Sequence, residues 1–136
     1  MASVLLIDDD ETLRFITAEI LRSAGHTVDT ADDGKAGLAL YKVKHHDLVL
    51  TDIVMPDMDG LKLIEELRQT EPRPRVIAMS GGNAPHEPCY LATARRLGVE
   101  RTLAKPIFPR VLLRAMAEAL AEPAQPTEAP QSAVKT

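Results

Sequence analysis

Hydrophobic residues follow two alternating patterns along this chain. Short runs of consecutive apolar residues alternate with longer stretches in which apolar residues recur every three or four positions. A short run is typical of a strand buried on both faces, and the recurring spacing is typical of an amphipathic helix. The pattern therefore predicts five strands and five helices that alternate along the chain.

The predicted elements are short and follow one another closely. Strands are expected at residues 4–7, 27–31, 47–51, 75–79 and 101–104. Helices are expected at residues 13–24, 34–44, 61–71, 90–97 and 109–121, the third of them ended by Pro72. Apolar residues that should face the core are Leu13, Ile16, Ile20 and Leu21 on the first helix, Leu61, Ile64 and Leu67 on the third, and Leu112, Leu113, Met116 and Leu120 on the last.

The alternation of strand and helix predicts an α/β fold, in which a five-stranded parallel sheet carries helices on both faces. The crossovers should be right-handed, and ligands bind such sheets at the carboxyl ends of the strands. Residues 122–136 are rich in proline and poor in large apolar side chains, so a disordered C-terminal tail is expected there. Residues 1–121 then form a single domain.

Composition narrows the class of protein. The chain has 136 residues, 45% of them hydrophobic and 26% charged, as in an ordinary globular domain. The net charge of −4 argues against nucleic acid as a direct partner. The single cysteine, Cys89, excludes an internal disulfide and fits a cytoplasmic protein. No apolar run is long enough to span a membrane.

Polar residues that carry chemistry follow four of the predicted strands. Asp8 and Asp9 follow the first strand, and Asp52 follows the third. Ser80 follows the fourth strand, and Lys105 follows the fifth. Because the carboxyl ends of parallel strands lie at one edge of the sheet, these side chains are expected to share one cleft.

Three neighbouring carboxylates need a compensating charge. Two unit charges about 4 Å apart repel by about 4 kcal/mol at an effective dielectric constant near 20. Three such contacts would cost about as much as the stability of a whole domain. We therefore expect a divalent cation, Mg²⁺ or alternatively Mn²⁺, beside the positive charge of Lys105. Taken alone, Asp8 and Asp9 are equally typical of residues that cap a helix.

Four segments resemble the signature motifs of the response-regulator receiver domain of bacterial two-component signalling. They read LLIDDDE, LVLTDIVMPDMDG, VIAMSGG and LAKPI, and they stand in order at the ends of predicted strands. The resemblance extends from residue 3 to about residue 121. It implies a CheY-like fold with five βα units and the flavodoxin-like strand order 2-1-3-4-5.

The resemblance implies a metal site around the phosphoacceptor. Asp52 matches the aspartate that accepts the phosphoryl group and also contacts the metal ion. Asp9 matches the direct Mg²⁺ ligand, and Asp8 matches the acid that reaches the ion mostly through water. Val54 stands where the family donates a backbone carbonyl to the ion.

The resemblance also implies which residues bind the phosphoryl group. Ser80 matches the hydroxyl, and Lys105 matches the lysine, that contact the phosphoryl oxygens. Pro106 follows this lysine where the family has a cis peptide bond, a form that is largely confined to proline. Pro56 and Gly60 match residues that shape the loop after the phosphoacceptor.

The chain departs from the family pattern in the region expected to switch. The family usually has an aromatic residue three positions before the lysine, and here that position is Thr102. An aromatic residue is also usual just after the Lys-Pro pair, where this chain has Ile107 and then Phe108. A switch in this chain must therefore work without an aromatic ring at position 102.

The function implied by the resemblance is that of a stand-alone response regulator. It would accept a phosphoryl group from a sensor histidine kinase or a histidine phosphotransfer protein. It would then bind an unidentified downstream protein through helix 4, strand 5 and helix 5, as a monomer or weak dimer. Because the domain ends near residue 121, no fused output domain is expected. Such a protein catalyses only its own phosphorylation and dephosphorylation.

Two other functions stay open. One is a Mg²⁺-dependent phosphohydrolase that forms an aspartyl-phosphate, which typically needs a second acid two residues after the nucleophile. Val54 occupies that position and argues against this function. The other is an interaction module of the same fold that is never phosphorylated.

Several arginines make the last third of the domain locally basic. They either belong to solvated helix faces or form a docking surface for an acidic partner, and both interpretations stay open. They are Arg95, Arg96, Arg101, Arg110 and Arg114.

Overall fold

The structure, a computed structural model, describes residues 1–55, 60–71, 73–81 and 87–121. Its strands are β1 (Ser3–Ile7), β2 (Thr27–Ala31), β3 (Leu48–Asp52), β4 (Arg75–Ser80) and β5 (Arg101–Ala104). Its helices are α1 (Glu11–Ser23), α2 (Gly34–Lys44), α3 (Gly60–Arg68), α4 (Glu87–Arg96) and α5 (Pro109–Ala121). Pro56, Pro72 and the proposed tail lie outside these residues. Within them, no helix has both the length and the apolar character needed to cross a membrane.

The five strands form one parallel sheet in the order β2-β1-β3-β4-β5. This order confirms the predicted doubly wound fold. Ile7 pairs with Thr51, Asp52 pairs with Met79, and Ser80 pairs with Ala104. The register therefore brings the last residues of the four strands β1, β3, β4 and β5 to one edge of the sheet.

Two hydrophobic cores lie on opposite faces of the sheet. Successive side chains of a strand point to opposite faces, so Val4 and Leu6 face one core and Leu5 and Ile7 face the other. The first core contains residues of α1 and α5, and the second contains residues of α2, α3 and α4. The central strands β1 and β3 are apolar on both faces because each face is covered by helices.

A glycine lets α2 approach the sheet closely. Gly37 lies in the interior of α2, where glycine costs about 1 kcal/mol relative to alanine. A Cβ atom at this position would overlap the side chain of Ile7 on β1. The unfavourable helix propensity of Gly37 is therefore explained by the space that Ile7 occupies.

Some predicted boundaries were wrong by a few residues. β3 begins at Leu48 and not at Asp47, since the β1–β3 ladder begins with the pair of Val4 and Leu48. β4 extends to Ser80, since the ladder with β5 continues to that residue. α4 begins at Glu87 and not at residue 90. Pro88 is compatible with this start because proline is tolerated in the first turn of a helix.

The predicted inward face of α1 was partly wrong. Ala18 and Leu21 are buried, whereas 38% of Leu13 and 47% of Ile16 remain exposed. Small Ala18 brings the helix close to the sheet, and Ile16 instead lines an open groove beside Pro109 of α5. The first turns of α1 therefore present apolar side chains to solvent.

The predicted core residues of α3 and α5 also needed correction. On α3, Leu63 is buried together with Ile64 and Leu67, and Leu61 only borders the core. On α5 the buried residues are Leu112, Ala115, Met116 and Ala119, and Leu113 and Leu120 pack at the edge. Alanine carries little hydrophobic signal in a sequence, although it permits close packing of a helix on a sheet.

Two glycines with positive φ end helices and offer a matched comparison. Gly25 has φ +96°, and a Cβ atom there would meet open space, whereas a Cβ atom at Gly98 (φ +93°) would overlap the Arg68 guanidinium. That guanidinium donates a hydrogen bond to the Leu97 carbonyl and so links α3 to the end of α4. Position 98 therefore combines a backbone constraint with a packing constraint.

We expect Gly25→Ala to lower the free energy of unfolding by about 1–2 kcal/mol, the usual cost of a left-handed non-glycine residue. Gly98→Ala should cost about 1 kcal/mol more, because it also displaces a hydrogen bond. Urea unfolding of both variants measures this difference. In an Arg68→Ala background the two alanine substitutions should cost the same, and a persistent difference would contradict the packing explanation.

Candidate functional site

A lysine ammonium lies between two buried carboxylates at the carboxyl edge of the sheet. Lys105 Nζ is 3.1 Å from Asp8 Oδ2 and 3.1 Å from Asp52 Oδ2. Asp8 follows β1, Asp52 ends β3 and Lys105 follows β5, so the contact joins three strands. The relative exposure is 1% for Asp8 and 6% for Asp52, which leaves little water to screen the charges.

The second oxygen of each carboxylate is held by the backbone. The N–H of Asp10 donates to Asp8 Oδ1 over 3.0 Å, and the N–H of Ile53 donates to Asp52 Oδ1 over 3.0 Å. Each carboxylate thus has one oxygen on a backbone donor and the other on Lys105. This pattern fixes the orientation of both side chains.

Asp9 completes a group of three acids. One carboxylate oxygen from each of Asp8, Asp9 and Asp52 lies within 4.8 Å of the others, and Asp9 is exposed to solvent. Among the described residues, Lys105 is the only cation that forms an ion pair with these carboxylates. Three carboxylates therefore face one ammonium, and the excess negative charge favours a further cation.

The site shifts the pKa values of its own groups. Burial raises the pKa of Asp52 to about 6, and the negative charges of Asp8 and Asp9 act in the same direction against the attraction of Lys105. Burial lowers the pKa of Lys105, but attraction to Asp52 and Asp8 outweighs burial and raises it. Lys105 therefore stays positively charged at neutral pH, and Asp52 is mostly ionised there.

The donor set fits a hard divalent cation. Carboxylate and carbonyl oxygens are the ligands that Mg²⁺ prefers in proteins, and Mg²⁺ usually keeps several waters. Asp9 faces solvent, which allows such waters, and 42% of Val54 is exposed two residues beyond Asp52. The acids Asp8, Asp9 and Asp52 are therefore the residues that could hold the ion.

Ser80 and Lys105 are linked through the backbone. The N–H of Lys105 donates to the Ser80 carbonyl over 2.7 Å, which extends the β4–β5 ladder by one bond. The Ser80 side chain is buried. The peptide bond between Lys105 and Pro106 is cis.

Thr102 lies away from the carboxyl end of its strand. It pairs with Ala78 in the middle of the β4–β5 ladder, and its hydroxyl accepts a hydrogen bond of 3.3 Å from Arg95 of α4. A side chain of α4 thus contacts Thr102, which stands where the family usually has an aromatic residue.

Gly60 packs directly against the backbone of Asp52 and Ile53. Its N–H donates to the Ile53 carbonyl over 2.6 Å, and a Cβ atom here would overlap the carbonyl oxygen of Asp52. Only glycine lets the start of α3 lie this close to the end of β3. The role of Gly60 is therefore a close approach that supports the position of Asp52.

One residue of the site was missed by the sequence interpretation. Arg14 of α1 donates a hydrogen bond of 2.7 Å from Nη1 to the Asp8 carbonyl. This bond fixes the backbone between the end of β1 and the start of α1. Arg14 carries no recognisable motif, because its contact depends on how the first turn of α1 folds over the end of β1.

An apolar rim lies beside the charged groups, on the side of α1 and of the segment that leads into α5. A cleft of about 540 Å³ beside Asp8 and Lys105 is lined by Leu13, Ile16, Pro106 and Ile107 among others. The two phenylalanines of the chain, Phe15 and Phe108, are 65% and 63% exposed on neighbouring segments. Exposed large apolar residues around a charged site are typical of a surface that binds another protein.

The site combines three acids, a buried serine and a lysine at the carboxyl edge of a five-stranded parallel sheet. This combination is typical of a receiver domain. The family model of the response regulator receiver domain matches residues 4–117. The chain therefore belongs to the receiver-domain family of two-component response regulators.

Curated relatives share the domain but are longer. The transcriptional regulatory protein GlrR of Escherichia coli K12 is 34% identical over 128 residues, which are 93% of this chain and 28% of that protein. The response regulator receiver protein Anae109_2439 of Anaeromyxobacter is 36% identical over 113 residues, 82% of this chain and 46% of that protein. This chain thus spans less than half the length of either relative.

A solved structure supports the same fold. A response regulator receiver domain protein of Clostridium thermocellum has a TM-score of 0.82 and 27% sequence identity. The match covers 88% of this chain and 94% of that chain.

The raised pKa of Asp52 predicts a pH-dependent effect of Asp52→Asn. Ionisation of a carboxyl whose pKa is about 6 in the folded state and 3.8 when exposed costs up to about 3 kcal/mol of stability. This cost is absent below about pH 4 and complete above about pH 7. We expect Asp52→Asn, which stays neutral, to stabilise the protein by up to about 3 kcal/mol at neutral pH and by little at pH 4.

Urea unfolding in the presence of EDTA at several pH values measures this effect without bound metal. Asp32→Asn, which removes an exposed carboxylate, is the matched control and should show no such trend. Equal or lower stability of Asp52→Asn at neutral pH would contradict the assigned burial cost.

Proposed function

We propose that Asp52 accepts a phosphoryl group from the phosphohistidine of a sensor histidine kinase or a histidine phosphotransfer protein. A carboxylate oxygen of Asp52 would form the new P–O bond while the P–N bond to the donor histidine breaks. The electron pair of that bond stays on the imidazole. The observation that carries this proposal is the buried, ionisable Asp52 whose Oδ2 lies 3.1 Å from the Lys105 ammonium.

The charges around Asp52 support this chemistry. At neutral pH a carboxyl with a pKa of about 6 is mostly ionised and is a competent nucleophile. The Lys105 ammonium would stabilise the negative charge of the phosphoryl oxygens as the group arrives. The backbone N–H of Ile53 holds Asp52 in one orientation, so the nucleophile is positioned before the donor binds.

Asp8, Asp9, Asp52 and the backbone carbonyl of Val54 would hold Mg²⁺. The ion would supply positive charge that offsets the three carboxylates and the phosphoryl oxygens. Arg14 and the N–H of Asp10 fix the Asp8 turn, which keeps the carboxylates at one place.

Phosphorylation would then change the surface that includes α4, β5 and α5. An acyl phosphate adds nearly two negative charges and three acceptor oxygens. Ser80 and Lys105 would move toward these oxygens. Since Lys105 directly follows β5, its movement would be passed to that strand and to the binding of a downstream protein.

The apolar rim supports a protein as the phosphodonor. A small phosphate compound needs only the charged groups, whereas Phe15 and Phe108 offer a large contact area outside them. Exposed aromatic side chains are among the residues that contribute most to protein–protein binding. We infer that this rim contacts the donor protein during transfer.

A phosphohydrolase is less well supported by the site. It would need an acid or base two residues after the nucleophile, and Val54 offers neither. A module that is never phosphorylated would need Lys105 only to neutralise the two buried acids, and it would have no use for a third acid, Asp9, exposed beside them.

Incubation with acetyl phosphate and Mg²⁺, followed by intact-mass measurement, tests the chemistry. We expect one added phosphoryl group, none with Asp52→Asn, and none when EDTA removes the metal. Glu11→Gln, which removes an exposed acid near the site, is the control and should be labelled normally. Continuous turnover of a phosphomonoester would instead indicate a phosphohydrolase, and normal labelling of Asp52→Asn would refute the assigned acceptor.

Phe15→Ala should separate docking from chemistry. We expect acetyl phosphate to label this variant normally, and transfer from a phosphorylated histidine kinase to slow by about tenfold, as for loss of a central interface residue. The donor is the kinase from a purified panel that labels the unmodified protein fastest. Val43→Ala, which removes another exposed apolar residue on α2, is the control. Equal slowing of both variants would contradict a docking role for Phe15.

A further inference from the structure

An open apolar groove lies between α1 and α5 on one face of the sheet. It has a volume of about 500 Å³, and we call it the α1–α5 groove. Its apolar lining includes Phe15, Ile16, Ile20, Pro109 and Leu113. Among the described residues of the lining, only Glu19 and Ser23 are polar. An exposed apolar surface of this kind is typical of a place where another segment or protein binds.

The α1–α5 groove follows the direction of the two helices. α1 follows β1 and α5 follows β5, so both helices begin at the carboxyl edge of the sheet and run toward the opposite edge. Phe15 and Pro109 therefore mark the end of the groove near the charged site, and Ala24 marks the other end. The last residue of α5, Ala121, lies on the same face of the sheet as the groove.

The residues that follow α5 are long enough to fill the groove. At least fifteen residues, 122–136, come after Ala121, and we call them the C-terminal segment. At a helical rise of 1.5 Å per residue, Leu113 lies about 12 Å and Pro109 about 18 Å back along α5 from Ala121. A polyproline II segment rises about 3.1 Å per residue, so about six residues span that longer distance.

The composition of the C-terminal segment suits such a contact. It reads EPAQPTEAPQSAVKT and holds three prolines and three alanines, whose side chains lose almost no entropy on binding. Proline also fixes φ near the polyproline II value, which lowers the cost of ordering the backbone. Pro123 and Pro126 have the Pro-X-X-Pro spacing that binds grooves lined with aromatic side chains. Phe15 supplies an aromatic side chain in the groove, and 65% of it is exposed.

A tethered segment has an advantage over any partner from solution. A segment on a short flexible link acts at an effective concentration of about 1 mM. A contact that is too weak to join separate molecules can therefore cover the groove for much of the time. The C-terminal segment is thus favoured over a second copy of the chain as the occupant in the free protein.

We propose that the C-terminal segment lies along the α1–α5 groove in an extended polyproline form and covers Phe15. Phe15 also belongs to the rim that we assigned to the donor protein, so the segment competes with that donor. The segment therefore slows phosphoryl transfer from a protein and leaves transfer from a small phosphate compound unchanged. This consequence rests on the proposed function, whereas the contact itself does not.

Paramagnetic relaxation enhancement in NMR spectra of the full chain tests the contact. A nitroxide is attached to the C-terminal segment at Ala129→Cys. The background is Cys89→Ser, because Cys89 is the single cysteine of the chain.

We expect the nitroxide to remove most of the amide signal of Phe15, Ile20 and Leu113 in the groove. The signal of Val43 on α2, which packs on the other face of the sheet, should remain. Signal loss confined to the end of α5 around Ala121 would overturn the proposal.

Two matched variants of the full chain separate a polyproline contact from attraction between charges. The proline variant combines Pro123→Gly, Pro126→Gly and Pro130→Gly, and the glutamate variant combines Glu122→Gln and Glu128→Gln. Signal loss in the groove should disappear in the proline variant and persist in the glutamate variant. Loss that persists in the proline variant would overturn the proposal.

A mixed sample tests whether the segment binds its own molecule. Isotope-labelled protein without the nitroxide is mixed with unlabelled protein that carries it. We expect no signal loss in the groove of the labelled molecules. Loss in this mixture would assign the groove to the segment of a second copy and overturn the proposal.

Transfer from the histidine kinase tests the inhibitory effect. If the segment covers the groove about nine-tenths of the time, a donor that needs the groove binds about tenfold more weakly, since only the uncovered fraction is competent. Below saturation, the proline variant should therefore accept the phosphoryl group up to about tenfold faster than the unmodified protein. The glutamate variant should not, and acetyl phosphate should label all three proteins at one rate. Equal transfer from the kinase to all three would overturn the inhibitory effect.

The two readouts also separate this inference from the proposed function. Failure of every donor to label Asp52, with proline-dependent signal loss in the groove, would refute the proposed function and support the contact. Labelling of Asp52 without signal loss in the groove would do the reverse.

Discussion

The contact of one ammonium with two buried carboxylates holds this end of the protein together. Lys105, which follows the edge strand β5, lies 3.1 Å from both Asp8 and Asp52. Like charges on Asp8 and Asp52 would otherwise repel in a region with almost no water. The strands β1, β3 and β5 can end at one place because this lysine lies between the acids.

The same contact leaves the site short of positive charge. Three acids face Lys105, and the pKa of Asp52 is raised to about 6 mainly by burial. Because burial makes ionisation of Asp52 unfavourable, a nearby cation or loss of the negative charge of this carboxyl would stabilise the protein. The fold keeps the three acids close together despite this excess of negative charge. Gly60 and Arg14 contribute by fixing the backbone on either side.

The sequence allowed the strand order, the parallel sheet and the grouping of Asp8, Asp52 and Lys105 to be predicted. The parallel sheet follows from the alternation of strand and helix patterns, and the grouping follows from polar residues at strand ends. The strand order was implied by the resemblance of four motifs to the receiver family. The exposed positions of Leu13 and Ile16 could not be predicted, because hydrophobic spacing does not distinguish a core from a surface that binds a partner. The link between Arg14 and the Asp8 carbonyl was also missed, since it depends on how α1 folds over the end of β1.

The hydrogen bond from the Lys105 N–H to the Ser80 carbonyl joins the carboxyl ends of β4 and β5. A displacement of Ser80 or Lys105 would affect both strands, because separating β4 from β5 at this end would break the hydrogen bond that joins them. The ends of the last two strands are therefore coupled through the main chain, and Arg95 of α4 contacts the middle of the same strand pair at Thr102. This coupling involves no side chain at position 102, so it is the same whether that position carries threonine or an aromatic ring.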